Sequence, residues 1–215
     1  MSPGGFMKTK LFVVIVLFTF ICGFVFAEEG RMNPQISKGI EYHNLTREDT
    51  CKDVAGIIEK CLNTLEPFVS SDALACAYYG SAKNIKARTL AEKNPIKSLS
   101  YLEEGSSYLD KAVSMKSNDI ELRIIRLENG IEVSRSSPIK RYSVICEDVD
   151  FILEKNNVNQ LSAQEKAEAY LYCGFYYQDA GDLETALDLF EMAVEADGEC
   201  KAGKAAQNML DKYSE

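Results

Sequence analysis

Apolar side chains recur three or four positions apart along most of the chain after residue 46, which is the period of an amphipathic α-helix. Val54, Ile58, Cys61 and Leu65 illustrate this spacing. No segment shows the sustained alternation of apolar and polar residues that is typical of a half-buried β-strand. The pattern therefore predicts an all-α fold of about eight helices joined by short loops, which favours stacked antiparallel hairpins.

Capping residues and prolines set the predicted helix boundaries. A first helix is expected at about 47–66, and a second runs to about Ala91. Asn94 and Pro95 begin the third, since Asn is a good N-cap and Pro fits the first turn. The remaining five helices are expected to begin after Asn118 with Glu121, Ser137 with Pro138, Ser162 with Glu165, Asp182 and Gly198.

The first 27 residues have the pattern of a secretory signal peptide. Lys8 and Lys10 precede an apolar run from Leu11 to Phe26, and the acidic stretch that follows Ala27 suits the start of an exported chain. The run of about 16 residues is shorter than the ~20 that a membrane-spanning helix needs. Residues 1–27 are therefore predicted to be a cleaved signal.

Two alternatives remain open for this segment: an uncleaved N-terminal anchor, and a lipoprotein attached at Cys22, although the residues before Cys22 form a poor lipobox. Met1 and Met7 are both possible starts. Residues 28–43 carry no periodicity and are predicted to be a flexible arm, followed by one helical domain over 44–215.

The composition narrows the function further. Asp and Glu total 33 against 24 Lys and Arg, so the formal charge is −9, which disfavours nucleic acid or an anionic membrane surface as partner. A single His removes most zinc and His-dependent catalytic designs. We therefore expect a noncatalytic protein with no cofactor and no metal.

Six cysteines follow the signal segment, an even number that permits disulfides in an exported chain. Cys61 and Cys76 are about equally far from the turn at 68–70. Antiparallel helices on either side of that turn would bring them level, so this pair is predicted to be close enough for a disulfide.

One stretch has the spacing of a helical hairpin repeat. Gly174 and Ala186 are small where two helices of a hairpin would cross, and larger side chains at set positions would fill the space around them. The positions assigned to repeat packing are Tyr170, Gly174, Tyr177, Ala186, Phe190 and Ala193. Residues 167–200 thereby resemble a tetratricopeptide repeat, with Gly198 where that family usually has Pro.

A final helix at 200–213 would follow this repeat. Gly80, Gly105, Leu109 and Ala112 show a diluted version of the same spacing. The resemblance implies a stack of hairpins with a concave groove lined by the first helix of each repeat.

Matching positions of that first helix give a candidate partner-binding strip on the concave side. The strip comprises Glu168, Leu171, Phe175, Gln178 and Asp179. The basic carboxylate clamp found in some members of the family is missing here. The alternative is that Leu171 and Phe175 are simply buried between helices.

Basic residues offer a second candidate surface. Lys83 and Lys86 lie in a positively charged segment, and Arg123 and Arg126 stand three apart on one side of a predicted helix. If the hairpins stack, these bases could face one wall of the groove. The alternative is an ordinary solvated helix face.

These observations predict an exported, noncatalytic protein-interaction or scaffolding module of the bacterial cell envelope, periplasmic or secreted, with no stable membrane span after cleavage. Its partner would be a protein or peptide. The alternative is a helical small-ligand-binding or transporter-accessory protein. A cavity of several hundred Å3 walled by Tyr and Phe would favour that alternative, and an open groove would favour the interaction module.

Overall fold

The computed structural model describes residues 32–48 and 50–214, so the predicted signal segment lies outside the described residues. Within them the chain forms ten α-helices and no β-strand, which confirms the all-α prediction. The helices are α1 (Pro34–Leu45), α2 (Val54–Leu65), α3 (Ala73–Leu90), α4 (Pro95–Met115), α5 (Ile120–Ser136), α6 (Tyr142–Leu153), α7 (Lys155–Val158), α8 (Ala163–Ala180), α9 (Leu183–Asp197) and α10 (Lys201–Ser214).

Several helices begin at the residues that the sequence indicates. Ser162 and Glu165 form a reciprocal capping box at α8, and the side chains of Asp182 and Asn94 cap α9 and α4. Two boundaries differ. Helix α2 begins after its N-cap Asp53 rather than at 47, and α6 begins at Tyr142 rather than after Pro138.

The helices pack as successive antiparallel pairs, α1 with α2, α3 with α4, α5 with α6, and α8 with α9. The first helix of each pair also contacts the first helix of the next, so that α1, α3, α5, α8 and α10 form one row. The second helix of each pair packs on the first helix of the following pair. This recurring contact pattern is consistent with an all-α helical repeat, and it gives the molecule a continuous inner row of first helices.

Small residues mark the closest crossings. A Cβ atom on Gly105 would lie 2.7 Å from the Gly80 carbonyl oxygen, so α3 and α4 approach backbone to backbone. A Cβ on Gly174 would lie 2.6 Å from a ring carbon of Phe190, which joins α8 to α9. Ala186, Phe190 and Ala193 are fully buried, while Tyr170 and Tyr177 are half-buried against the same core.

The prediction of a flexible arm at 28–43 is wrong from Pro34 onward, because these residues belong to α1. Asn33 caps α1 and Pro34 occupies its first turn, the same pair of signals that begins α4. Ile36 and His43 are buried, and α1 packs on α2 and α3. Helix α1 therefore begins the row of first helices.

The predicted Cys61 to Cys76 disulfide is also wrong, since both residues are free thiols. Cys61 lies in the cluster that α2 and α3 form with α1, whereas the Cys76 Sγ donates to the Tyr108 carbonyl oxygen of α4 at 3.3 Å. The two thiols thus serve different interfaces. Burial raises the pKa of Cys61 to about 12, which keeps it a neutral core side chain.

None of the helices in the described ranges has the length and apolar character needed to cross a bilayer.

Candidate functional site

The row of first helices encloses a cavity of about 620 Å3. Its lining comes from α1, α3, α5, α8 and α10, together with the α1–α2 and α9–α10 connections. The lining residues are His43, Asn44, Arg47, Glu48, Tyr78, Ser81, Glu121, Ile124, Ile125, Glu128, Gln164, Glu165, Glu168, Glu199, Cys200, Lys201 and Ala202. The cavity therefore spans all of the packed pairs rather than lying within one of them.

The lining of the cavity is strongly acidic. Among the described residues, the lining contains six glutamates against two basic residues, Arg47 and Lys201, so their formal charge is −4 with His43 neutral. Field lines concentrate in a concave site with a low-dielectric wall, so this charge is felt more strongly there than on an open surface. A positively charged group is the ligand that such a cavity attracts.

Glu128 forms the floor of the cavity and is 5% exposed. Arg47 donates both terminal nitrogens to its carboxylate, with Nη1 at 3.0 Å from Oε2 and Nη2 on Oε1. The Tyr172 hydroxyl donates to Oε1 at 2.7 Å. A carboxylate held in this way presents a fixed, planar acceptor to a guanidinium group.

Glu168 lies beside this pair, with one carboxylate oxygen 3.8 Å from Arg47 Nη2. Burial and the neighbouring charge of Glu128 raise the pKa of Glu168 to about 6, although Arg47 opposes the shift. At the rim, partial burial and the charges of Asp119 and Glu165 raise the pKa of Glu121. The carboxylates destabilise one another, and a bound cation would relieve that repulsion.

His43 forms part of the inner wall of the cavity. It is 1% exposed, its Nε2 hydrogen-bonds with Ser81 Oγ at 2.8 Å, and Tyr78 stacks edge-on against the ring. Asn44 Oδ1 lies 3.2 Å from Nδ1. Burial lowers the pKa of His43 to about 4, so the ring is neutral at neutral pH.

The Ser81 and His43 pair has the hydrogen-bond geometry of a nucleophile and a base. Ser81 lies in the interior of α3, where backbone N–H groups bond to carbonyls one turn earlier and cannot point at an oxyanion. The hydrogen bond between Ser81 and His43 joins α1 to α3 at the cavity wall.

The mouth of the cavity is bridged by the last helix. Lys201 Nζ donates to the Arg47 carbonyl oxygen at 3.1 Å and lies 3.5 Å from a Glu48 carboxylate oxygen. Both side chains are more than half exposed. This bridge brings the beginning and the end of the row together on the same side of the cavity.

Arg123 and Arg126 do not face the groove, and neither sequence-based interpretation of them is right. Both are buried on Asp148, which is 0% exposed, with Arg123 Nη1 at 3.0 Å and Arg126 Nη2 at 2.6 Å from Oδ1. Glu147 and Asp110 complete an arginine cluster that ties α5 to α6 and α4. These arginines are part of the core.

Lys83 and Lys86 are also engaged within the fold, so the predicted basic wall does not exist. Lys83 Nζ lies 2.8 Å from Glu104, and Lys86 Nζ lies 2.5 Å from Glu59. Both ammonium groups stack over the Tyr101 ring. They join α3 to α2 and α4, away from the cavity.

The strip predicted on α8 is mostly closed. Leu171 is 4% exposed within the α8 to α10 core, and Phe175 is covered by the Arg135 guanidinium at 4.4 Å. Arg135 also bonds Asp179 through two contacts of 2.7 Å and Gln178 at 3.0 Å. The prediction of an exposed apolar side chain is therefore wrong at Leu171, while Phe175 and Gln178 are half-buried and Asp179 is exposed. Of the five residues, Glu168 alone lines the cavity.

Sequence reasoning missed Arg47, Glu121 and Glu128. Glu121 and Glu128 are seven positions apart, two turns on one face of α5, which is a signal visible in the sequence. The apolar pattern does not single out this face, because α5 is contacted by α3, α4, α6 and α8 and has apolar residues on nearly all of its sides. The described residues contain no group of three metal-ligating side chains placed to hold an ion.

Comparisons of the chain with family models, with curated proteins and with solved structures find no match.

Proposed function

We propose that this chain is an exported, noncatalytic interaction module of the tetratricopeptide-repeat type that binds a basic segment of a protein partner in its acidic cavity. The repeat assignment is supported by the packing order, in which each first helix contacts the next first helix and the following second helix closes on it. The short spacing motif around Gly174 supports it independently.

The position of the cavity is the observation that carries the proposal. Every helix that lines it is the first helix of a pair or the final helix α10, so the lining is the inner face of the stack. Repeat proteins of this architecture bind partners on such concave faces. The excess of carboxylates then selects a positively charged segment.

A small-molecule ligand is the second candidate, because a cavity of about 620 Å3 is within the range of small-ligand sites. Its walls argue against an apolar molecule, however. In the part of the chain that the structure describes, Tyr78 is the one aromatic ring other than His43 in the lining, and glutamates supply most of the polar groups. A small organic cation is therefore the form of this alternative that the cavity favours.

The cellular address belongs to the same proposal and rests on the pattern of residues 1–27. Amino-terminal sequencing of the protein purified from its own cells tests it. A start at Glu28 supports export with cleavage, whereas a retained apolar segment supports an anchor.

Fluorescence anisotropy with labelled peptides tests the binding function. The probes are two short peptides of equal length, one alternating Arg with Gly and the other alternating Asp with Gly. We expect the Arg peptide to bind and the Asp peptide not to bind. The paired substitution of Glu121→Gln and Glu168→Gln should weaken binding about tenfold, because it removes two of the cavity's carboxylates.

The matched control replaces Glu191 and Glu195 by Gln. Both are exposed on α9 outside the cavity, so the net charge of the protein changes equally. Equal loss of affinity in the two variants would mean that overall charge, and not the cavity, attracts the peptide. Absence of binding in the unmodified protein would contradict the proposed partner chemistry.

A further inference from the structure

Arg47 is the group that occupies the cavity floor, and it is delivered by a connection rather than by a helix. It follows α1 on the segment that leads to α2, while its partner Glu128 is fixed in the middle of α5. The Glu128 carboxylate is buried, but the Arg47 side chain is 38% exposed. The carboxylate therefore belongs to the rigid scaffold, and the guanidinium approaches it from the open side.

Apart from its ion pairs with Glu128 and Glu168, Arg47 is held by two backbone contacts. The Arg47 backbone N–H donates to the Asn44 carbonyl oxygen at 3.0 Å in the turn that ends α1. The Lys201 side chain donates to the Arg47 carbonyl oxygen. The Lys201 contact with Glu48 is between exposed side chains, and exposed ion pairs contribute little to the stability of a fold. A rotation of the Arg47 side chain away from Glu128 would break no contact within a helix.

The single positive charge of Arg47 does not balance the negative charges of Glu128 and Glu168 beside it. The Arg47 guanidinium lies between Glu128 and Glu168, and its Nη2 atom is 3.8 Å from a Glu168 carboxylate oxygen. The described residues give the Glu168 carboxylate no hydrogen bond within 3.5 Å, although it faces the cavity. The site is thus built for more positive charge than the chain supplies.

We propose that Arg47 is an internal stand-in for the ligand, so that an arginine side chain of the partner binds Glu128 by displacing it. This inference rests on the proposed function and names the group that the cavity recognises. Arg47 then acts as a built-in competitor that lowers the affinity of the site. The partner's arginine binds Glu128 only when the Arg47 side chain moves away toward solvent.

The geometry at Glu128 also selects between basic side chains. Arg47 shows that the carboxylate accepts two N–H groups from one planar group, while Tyr172 donates to the same Oε1 atom. A guanidinium reproduces this two-point contact, whereas an ammonium group makes a single-point contact. The site should therefore prefer arginine over lysine.

Arg47→Gln is the variant that tests the displacement, since it replaces the guanidinium by a shorter, uncharged polar side chain. With the Arg peptide described above, we expect Arg47→Gln to bind about tenfold more tightly than the unmodified protein, because the internal competitor is gone. The affinity for a Lys peptide of equal length should rise less. Unchanged or weaker binding of the Arg peptide would overturn the inference.

A second measurement uses ethylguanidinium, which is the end of an arginine side chain, and does not depend on peptide binding. At low millimolar concentration it should raise the melting temperature of Arg47→Gln more than that of the unmodified protein, because it refills the vacated place. Ethylammonium at the same concentration is the control. Adding Glu128→Gln should abolish the difference, and equal shifts in all proteins would overturn the inference.

The two measurements separate this inference from the proposed function. Stabilisation of Arg47→Gln by ethylguanidinium, with no peptide binding by either protein, would support the guanidinium site and contradict peptide binding as the function. Binding of the Arg peptide with equal affinity by both proteins would support the function and contradict the stand-in role of Arg47.

Discussion

Two groups of arginine and carboxylate side chains use the same chemistry in different surroundings. In the arginine cluster of α4, α5 and α6, the carboxylate of Asp148 and the guanidinium groups of Arg123 and Arg126 are all buried. In the cavity, Glu128 is buried but Arg47 reaches it from an exposed connection. The first arrangement is closed, whereas in the second arrangement the arginine can be exchanged for another guanidinium group.

This difference shows why basic residues that look alike in sequence differ in role. Arg123 and Arg126 lie on a central helix, and the acidic residue that closes their site comes from the next helix of the same pair. Arg47 lies between helices, and its carboxylate neighbours come from α5 and α8. Arg123 and Arg126 are thus buried together with the carboxylate that they share, whereas at the Arg47 site the carboxylate is buried and the arginine is partly exposed.

The largest expected difference between the two groups is in stability. Arg126→Met leaves the Asp148 charge buried with one guanidinium removed, which should lower the free energy of unfolding by about 3–5 kcal/mol. Arg47→Gln should cost about 2 kcal/mol, because Tyr172 and water from the cavity still solvate Glu128. Urea unfolding of both variants measures this. Equal losses would remove the distinction between a closed cluster and an exchangeable one.

Acid should act on the cavity wall through His43. Its pKa in the folded protein is about 4, below its ordinary value of 6.5, so above pH 6.5 it is neutral whether the chain is folded or unfolded. As the pH falls from 6.5 toward 4, the unfolded chain takes up the proton first, and stability falls by about 3 kcal/mol.

Urea unfolding at a series of pH values measures this slope. His43→Gln is the comparison, because an amide can keep a hydrogen bond to Ser81 without titrating in this range. A slope between pH 6.5 and 4 that is the same in both proteins would show that His43 is not its source.

Ligand affinity should also depend on pH, through Glu168. Its pKa is raised to about 6, and it faces Glu128 of α5, Arg47 of the connection and Glu165 of its own helix. A cation binds the deprotonated form, so affinity for the Arg peptide should fall several-fold as the pH is lowered from about 7 to 5. In the other direction, deprotonation of Glu168 as the pH rises through 6 makes the unliganded fold less stable.

Anisotropy titrations across this pH range provide the measurement. Glu168→Gln should flatten most of the pH dependence, while Glu191→Gln on the outer surface should leave it intact. An unchanged profile in Glu168→Gln would assign the titration to another group.

The smallest effect is expected at a third arginine pair, which extends the comparison to the surface. Arg135 and Asp179 are each about one-third exposed, so Arg135→Ala should cost no more than about 1 kcal/mol. Thermal unfolding checks this value. A loss as large as that of Arg126→Met would mean that burial does not set the order of the three pairs.

Local features of the fold could be predicted from the sequence, because their causes are local. The capping box of Ser162 and Glu165 and the cap at Asn94 lie within one helical turn of the groups they satisfy. The small residues Gly174 and Ala186 indicated the crossing of α8 and α9. The same reasoning should have found α1, since Asn33 and Pro34 repeat the signal of Asn94 and Pro95.

The cavity could not be predicted in this way, because its residues meet only after the pairs have stacked. Arg47 and Glu128 are 81 positions apart, and Lys201 is 154 positions from Arg47. Periodicity predicted α5 itself but not which of its polar side chains are buried, because α5 is surrounded by other helices and buries residues such as Glu128 and Arg126. Which of these charges faces the cavity depends on neighbours that one helix cannot reveal.

The most direct test of the central claim uses His43, the single histidine of the chain, as a reporter inside the cavity. Its imidazole gives one set of resonances in NMR spectra of the protein labelled at histidine. Addition of the Arg peptide should shift these resonances to saturation, with the same concentration dependence as the anisotropy, and the Asp peptide should leave them in place. Binding of the Arg peptide without any change at His43 would contradict the claim that the acidic cavity is the binding site.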